Sequence, residues 1–271
     1  MAALVLVKEQ HKLAPVGECI YCGSRERLSN EHIVPFGLGG QLILPDASCG
    51  TCSKITGEFE RRVLRGFMYR ARIAARFPTR RPKERPAKLQ VHLLGPEKDH
   101  TIDLASTEAP VFLSLPLLEP TAFMSDASEP TGVLVDGQEI IRYGGTLEEL
   151  AKETGAEGIR QVDQIDGIAF ARMLAKIGYA YFVGERGLPD RTSVPVLPFI
   201  LGRENDGSRW VRSADFQTHL EKQGALHVLA LTDGKIQRSN VVEPVTLSRV
   251  KLFVSAGAAG YEVLVQRRTT S

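Results

Sequence analysis

Beyond position 52 this chain contains no cysteine, and nowhere does it contain an apolar run near the roughly 20 residues that a membrane-spanning helix requires. The first absence removes any disulfide framework from the larger part of the chain. The second excludes a helical membrane anchor. Trp210, in GSRWVRS, is the single tryptophan and reads as a packing or interface residue. There is no P-loop, dinucleotide-binding glycine fingerprint or GxSxG elbow, which sets aside the commonest nucleotide-binding and serine-hydrolase chemistries. The opening MAALVLVKEQ has an apolar patch with no basic residue before it and no small-residue cleavage site after it. That is a poor signal peptide, so a cytoplasmic address is expected.

Charge is plentiful but unevenly placed. Residues 1–90 carry 16 Lys/Arg and 8 Asp/Glu, a net +8, whereas the remainder carries 18 and 24, a net −6. A basic front on a mildly acidic back suggests that a polyanion is met at the front. The pattern divides the chain into a cysteine-rich module within 1–65, an arginine-laden connector over 66–90, and a larger domain over 91–271. Pro78, Pro82 and Pro86 forbid a regular helix in the second half of the connector. In the larger domain KLQVHLLG, HTIDLAS, APVFLSLPLL, HVLALTDG, VTLSRVKLFV and GYEVLVQRR read as strands. GVLVDGQEIIRYGG reads the same way, with Asp136-Gly137 as a hairpin turn. A capped helix is expected after Thr146, with Glu149 three residues on, and a stronger one over roughly 163–183. This is an α+β pattern.

All four cysteines lie in two pairs, Cys19-x2-Cys22 and Cys49-x2-Cys52, with 26 residues between them. Two CxxC knuckles bring four thiolates to one tetrahedral point, which suits a structural Zn²⁺. Buried thiols or a redox pair are the rival readings, and both leave the paired spacing unexplained. The insert contains the adjacent pair Glu31-His32. The helix expected to begin near Cys52 puts Ile55, Phe59 and Val63 on an apolar stripe. Ser53, Thr56, Gly57 and Glu60 share the neighbouring face, while Glu58 is expected to point toward Arg62 and Arg65.

The run CIYC…NEHIVP…LGG…SCGTC resembles the zinc-containing branch of the HNH endonucleases, over about 45 residues. The resemblance implies a zinc-stapled ββα-metal finger, followed here by a mixed accessory domain. It implies phosphodiester hydrolysis, with His32 as general base and Glu31 as ligand to a catalytic Mg²⁺ or Mn²⁺. Neighbours on a regular strand face opposite ways, so sharing one site requires Glu31 and His32 to sit at a strand end. Glu60, by its helix face, is expected to be the second carboxylate on that ion. This chain departs from the family in two places. Ser53 stands where His or Asn usually follows the second knuckle, and the base-orienting Asn between Gly40 and Cys49 is missing, with Gln41 the nearest polar substitute. Ser53 and Glu60 are therefore the expected remaining contacts to the ion.

Arg61, Arg62, Arg65, Arg80, Arg81 and Arg85 are expected to hold a nucleic-acid backbone, because guanidinium groups bind phosphate through a bidentate fork. DNA is the expected partner, and the same stretch would serve RNA. Tyr69 is the aromatic best suited to stack on a base, whereas Phe67 and Phe77 are expected to pack. His92 and His227, on alternating strand patterns, are expected to be structural. The larger domain is open to three roles: positioning DNA, forming a homodimer, or sensing a ligand that regulates the finger. A finger that retains zinc and basic surface without catalysis is the competing functional class.

Overall fold

The computed structural model describes residues 10–119, 132–216, 225–238 and 241–268. The elements in chain order begin with β1 (His11–Lys12), β2 (Leu28–His32), β3 (Leu42–Cys49), α1 (Gly50–Arg65) and α2 (Tyr69–Ala74). Next come β4 (Lys88–Leu94), β5 (His100–Ala105), β6 (Val111–Leu118), β7 (Val135–Tyr143), α3 (Leu147–Thr154) and β8 (Gly158–Arg160). The chain continues through α4 (Gly167–Arg186), α5 (Leu197–Ile200), β9 (Val211–Ala214), β10 (His227–Arg238), β11 (Val241–Leu252) and β12 (Gly260–Arg267). The fold is mixed α+β, with sheets ordered β1-β3-β2, β5-β4-β8, β6-β7 and β10-β11-β12-β9. Among the described residues, no helix is long and apolar enough to cross a membrane.

Near the N-terminus β2 and β3 pair antiparallel, and α1 follows β3 directly. The expected apolar stripe on α1 holds: Phe59 and Val63 are buried, Ile55 is half-buried, and Cys52 and Thr56 are buried beside them. Arg62 and Arg65 lie in the last turn, where a cation suits the helix C-terminus. The chain then turns at Gly66, whose N–H bonds to the Arg62 carbonyl.

The centre of the molecule is α4. Buried side chains occur on every side of it from Ala169 to Val183, and it packs against α1, β11 and β12. A helix apolar all round must be enclosed. Gly184 lies against the tip of the Leu13 side chain, 2.7 Å from where a Cβ would stand, with Ile33 and Leu44 at an ordinary contact distance of 3.5 Å. Most buried apolar side chains from Cys19 to Val265 form one continuous cluster, which crosses the boundaries expected near 65 and 90, while Ala225, Val228 and Val254 form a small second one. The stretch 66–90 contributes to it through Phe67, Met68, Ala71, Ile73 and Phe77. Phe67 meets Phe170 edge-on, and Phe77 stacks on Phe253 at 5.6 Å, so both phenylalanines pack as expected.

Several local expectations hold and others need correction. Thr146 and Glu149 form a reciprocal capping box at α3. The strong helix starts at Gly167, four residues later than expected, because the Asp166 side chain caps it by accepting from the Ala169 N–H. Asp136-Gly137 is not a hairpin turn. Both residues lie inside β7, at an irregularity in its pairing with β6, and Gly137 takes φ 142°, which a side chain would resist. The short strands β8 and β9 lack any alternating signal long enough to be read from sequence.

Candidate metal centre and adjoining cavity

Cys19 and Cys22 flank a tight turn before β2, Cys49 closes β3, and Cys52 sits in the first turn of α1. Their four sulfur atoms lie within 4.8 Å of one another, and Cys22 Sγ is 3.6 Å from Cys49 Sγ. A disulfide needs about 2.05 Å. Tetrahedral Zn–S bonds of about 2.3 Å would separate the sulfurs by about 3.8 Å. All four cysteines are free, so they are positioned to hold a metal ion and are compatible with structural zinc. Among the described residues they form the one such group of His, Cys, Asp and Glu. Burial raises the Cys49 thiol, but the Cys52 backbone N–H and the neighbouring thiols outweigh that and bring it down to about 7. The start of α1 adds its partial positive charge.

The first knuckle is anchored by residues far along the chain. Tyr179 on α4 donates its hydroxyl to the Ile20 carbonyl at 2.7 Å. Arg191 donates to Glu18 at 2.5 Å and to the Cys19 carbonyl at 3.3 Å.

β2 ends at His32, and the chain leaves it through Ile33, Val34 and Pro35. Glu31 and His32, despite being sequence neighbours, therefore line one cavity of about 400 Å³ together with Ser53, Glu60, Arg80 and Lys176. Glu31 is 6 % exposed, while His32 is half-buried with its ring 5.8 Å from Phe36. Burial, followed by the positive charges of Lys176 and Arg80, holds the His32 imidazole below its ordinary pKa. That shift favours the neutral imidazole, the form that can accept a proton.

Sequence reasoning missed Lys176. It is 1 % exposed, its Nζ lies 2.5 Å from Glu31 Oε1 and 2.9 Å from Glu60 Oε1, and it also donates to the His32 carbonyl. Burial alone would lower its pKa, but the two carboxylates hold it above the ordinary lysine value. The available signal was a lysine inside the apolar run MLAKIGYAYF, since such a residue is rarely enclosed without a partner. Asn30, directly before Glu31, also lines this cavity and is a polar side chain outside the Gly40–Cys49 stretch in which the family's Asn stands. Gln41, by contrast, meets β1 through its carbonyl, which accepts from the His11 N–H.

The cavity opens into a second, basic groove of about 530 Å³, and the two share Gly57, Glu60, Leu64, Arg72, Thr79 and Arg80. Arg61, Arg65, Arg81 and Arg85 line the groove, as does Tyr69, which is 39 % exposed. Arg62 points elsewhere and pairs with Asp166 at the start of α4. Glu58 turns to Arg61 at 2.6 Å rather than toward Arg62 and Arg65, because an i,i+3 partner lay within reach. Arg72 is a brace, donating to the carbonyls of Gly37 at 2.7 Å and Leu64 at 2.8 Å.

The isolated histidines play other parts. His227 is half-buried, with its Nε2 2.7 Å from the Leu38 carbonyl, and the enclosure of its ring brings its pKa down to about 4. His92 meets Thr101 on the exposed face of β4, and His219 lies outside the described residues. Trp210 is 7 % exposed, and its indole N–H donates to Glu204 at 2.5 Å. No protein-family model, curated protein or solved structure matches this chain.

Proposed function

We propose that the chain is an endonuclease of the HNH type, a zinc-stapled ββα unit that hydrolyses phosphodiester bonds in DNA. The observation that carries this reading is the shared cavity of Glu31, His32, Ser53 and Glu60 and its continuity with an arginine-lined groove. In the proposed reaction a water adds to phosphorus as the bond to the leaving oxygen breaks. His32 takes the proton of the attacking water, and the departing oxygen takes one from solvent. Arg80 offsets the charge that grows on the phosphate.

Mg²⁺ or Mn²⁺ is the ion implied by the resemblance, with Glu31, Glu60 and Ser53 as its contacts. The two carboxylates are already bridged by the Lys176 ammonium, so this set does not fit a further cation between them. No step here runs through one.

Purified protein incubated with supercoiled plasmid should nick it, and His32→Ala should slow cleavage by about 10²–10⁴-fold, the range for loss of a general base. Because the His32 pKa is depressed, activity should fall with acid only as pH drops through a value below the ordinary 6.5, leaving it intact at pH 7. Equal cleavage by both proteins would refute this reading. A zinc-stapled binding module is the second reading, favoured by Ser53 where the family has His or Asn.

In either case the arginine groove should govern affinity. The log of the DNA-binding constant should fall with the log of salt concentration at a slope of about −0.9 per phosphate neutralised. Arg80→Glu with Arg81→Glu should flatten that slope by about one to two such contacts. An unaltered slope in a salt titration would remove this stretch from the interface.

A further inference from the structure

The place that the family resemblance assigns to a divalent cation receives an ammonium from α4, 144 residues along the chain from His32. Lys176 Nζ donates to the His32 carbonyl and to the Ile33 carbonyl at 3.3 Å, and it is ion-paired with Glu31 Oε1 at 2.5 Å and with Glu60 Oε1 at 2.9 Å, an oxygen that accepts no hydrogen bond. Of the three N–H donors of an ammonium, two are met by these carbonyls, and the paired carboxylates answer its charge. The Lys176 side chain is 1 % exposed and that of Glu31 8 %, while Glu60, at 20 %, is the partner open to the cavity. Mg²⁺ bonds carboxylate oxygen at about 2.0–2.1 Å. An ion on the same two oxygens would collide with Nζ, and the two positive charges would repel across a buried, weakly screened gap.

We propose that Lys176 is the resident cation of this site, and that Glu31 and Glu60 bind no Mg²⁺ or Mn²⁺ while it is in place. The inference deepens the reading of the cavity as a phosphodiester hydrolase and rests on that reading for its chemical meaning. Two carboxylates neutralised by one ammonium retain a single net negative charge. Charge stabilisation of a phosphate then falls to the guanidinium groups at the cavity mouth, Arg80 foremost. Lys176 is a positioning residue that holds both carboxylates and, through the His32 carbonyl, the end of β2 from which the imidazole projects.

The test is a Mn²⁺ titration of the zinc-loaded full chain, followed by electron paramagnetic resonance, with no cleavage required. Wild type and Glu31→Gln should show the same free-Mn²⁺ signal throughout. A site in wild type that disappears in Glu31→Gln would overturn the proposal. Lys176→Met should gain a single Mn²⁺ that is lost again on adding Glu60→Gln, and a folded Lys176→Met that takes up none would also overturn it. Should Lys176→Met fail to fold, the comparison of wild type with Glu31→Gln decides alone. Failure of the hydrolase reading would appear instead in the plasmid assay with His32→Ala, so the two can be told apart.

Discussion

Chelating the metal from the four-cysteine centre should abolish the folded state of the β2–β3–α1 unit, not merely loosen it. Structural zinc contributes an apparent stabilisation of about 10–16 kcal/mol in small zinc domains. That is as large as the whole net stability of an ordinary domain, about 5–15 kcal/mol. The loss should spread, because the knuckle cysteines belong to the same buried cluster as α4 and the β10–β12 sheet. Tyr179 and Arg191 bond directly to the first knuckle, so its release removes partners from both. Circular dichroism on adding a strong chelator should show loss of helix and strand signal, with all four thiols becoming reactive to a thiol reagent together. Cys49→Ser should reproduce this without chelator, since Cys49 supplies one of the four thiols and is the N-cap of α1. A chelated protein that keeps its melting temperature and unreactive thiols would refute the metal-stapled reading.

Lys176→Met should destabilise the protein by about 3–5 kcal/mol, the usual result of removing one partner from a buried ion pair. The methylene stem is replaced almost without change in volume, so the loss comes from Glu31 and Glu60 being left together without their cation. Adding Glu31→Gln and Glu60→Gln to Lys176→Met should therefore recover most of the stability, even though three charged groups have been removed. Denaturant unfolding of the single and triple variants measures both effects. If the single variant is as stable as wild type, Lys176 is not neutralising these carboxylates. If the triple variant is weaker still, the neutral network fails on hydrogen bonding and not on charge.

How much of this was legible in the residues depends on the distance over which each feature acts. The cysteine cluster needed only three-residue and 26-residue spacings, and local chain geometry delivers those. The apolar stripe of α1, the capping box at Thr146 and the strands of the larger domain are likewise short-range patterns, and they appear where expected. Asp136-Gly137 misled because the same dipeptide serves a hairpin turn or a strand irregularity, and the choice belongs to the partner strand β6. Glu58 misled because helix geometry offered it three nearby arginines, and helical spacing alone does not rank them.

Sequence alone determined the four-thiol centre, the adjacency of Glu31 and His32, the helix face that carries Glu60, and the concentration of arginine in the first third of the chain. Tertiary structure alone decided what those carboxylates hold. Lys176 is 144 residues from His32, and its arrival depends on an enclosed helix, α4, packing against α1. A buried charge must be met by an opposite charge, but the identity of that counter-charge is settled by packing across the whole core, which no local pattern encodes.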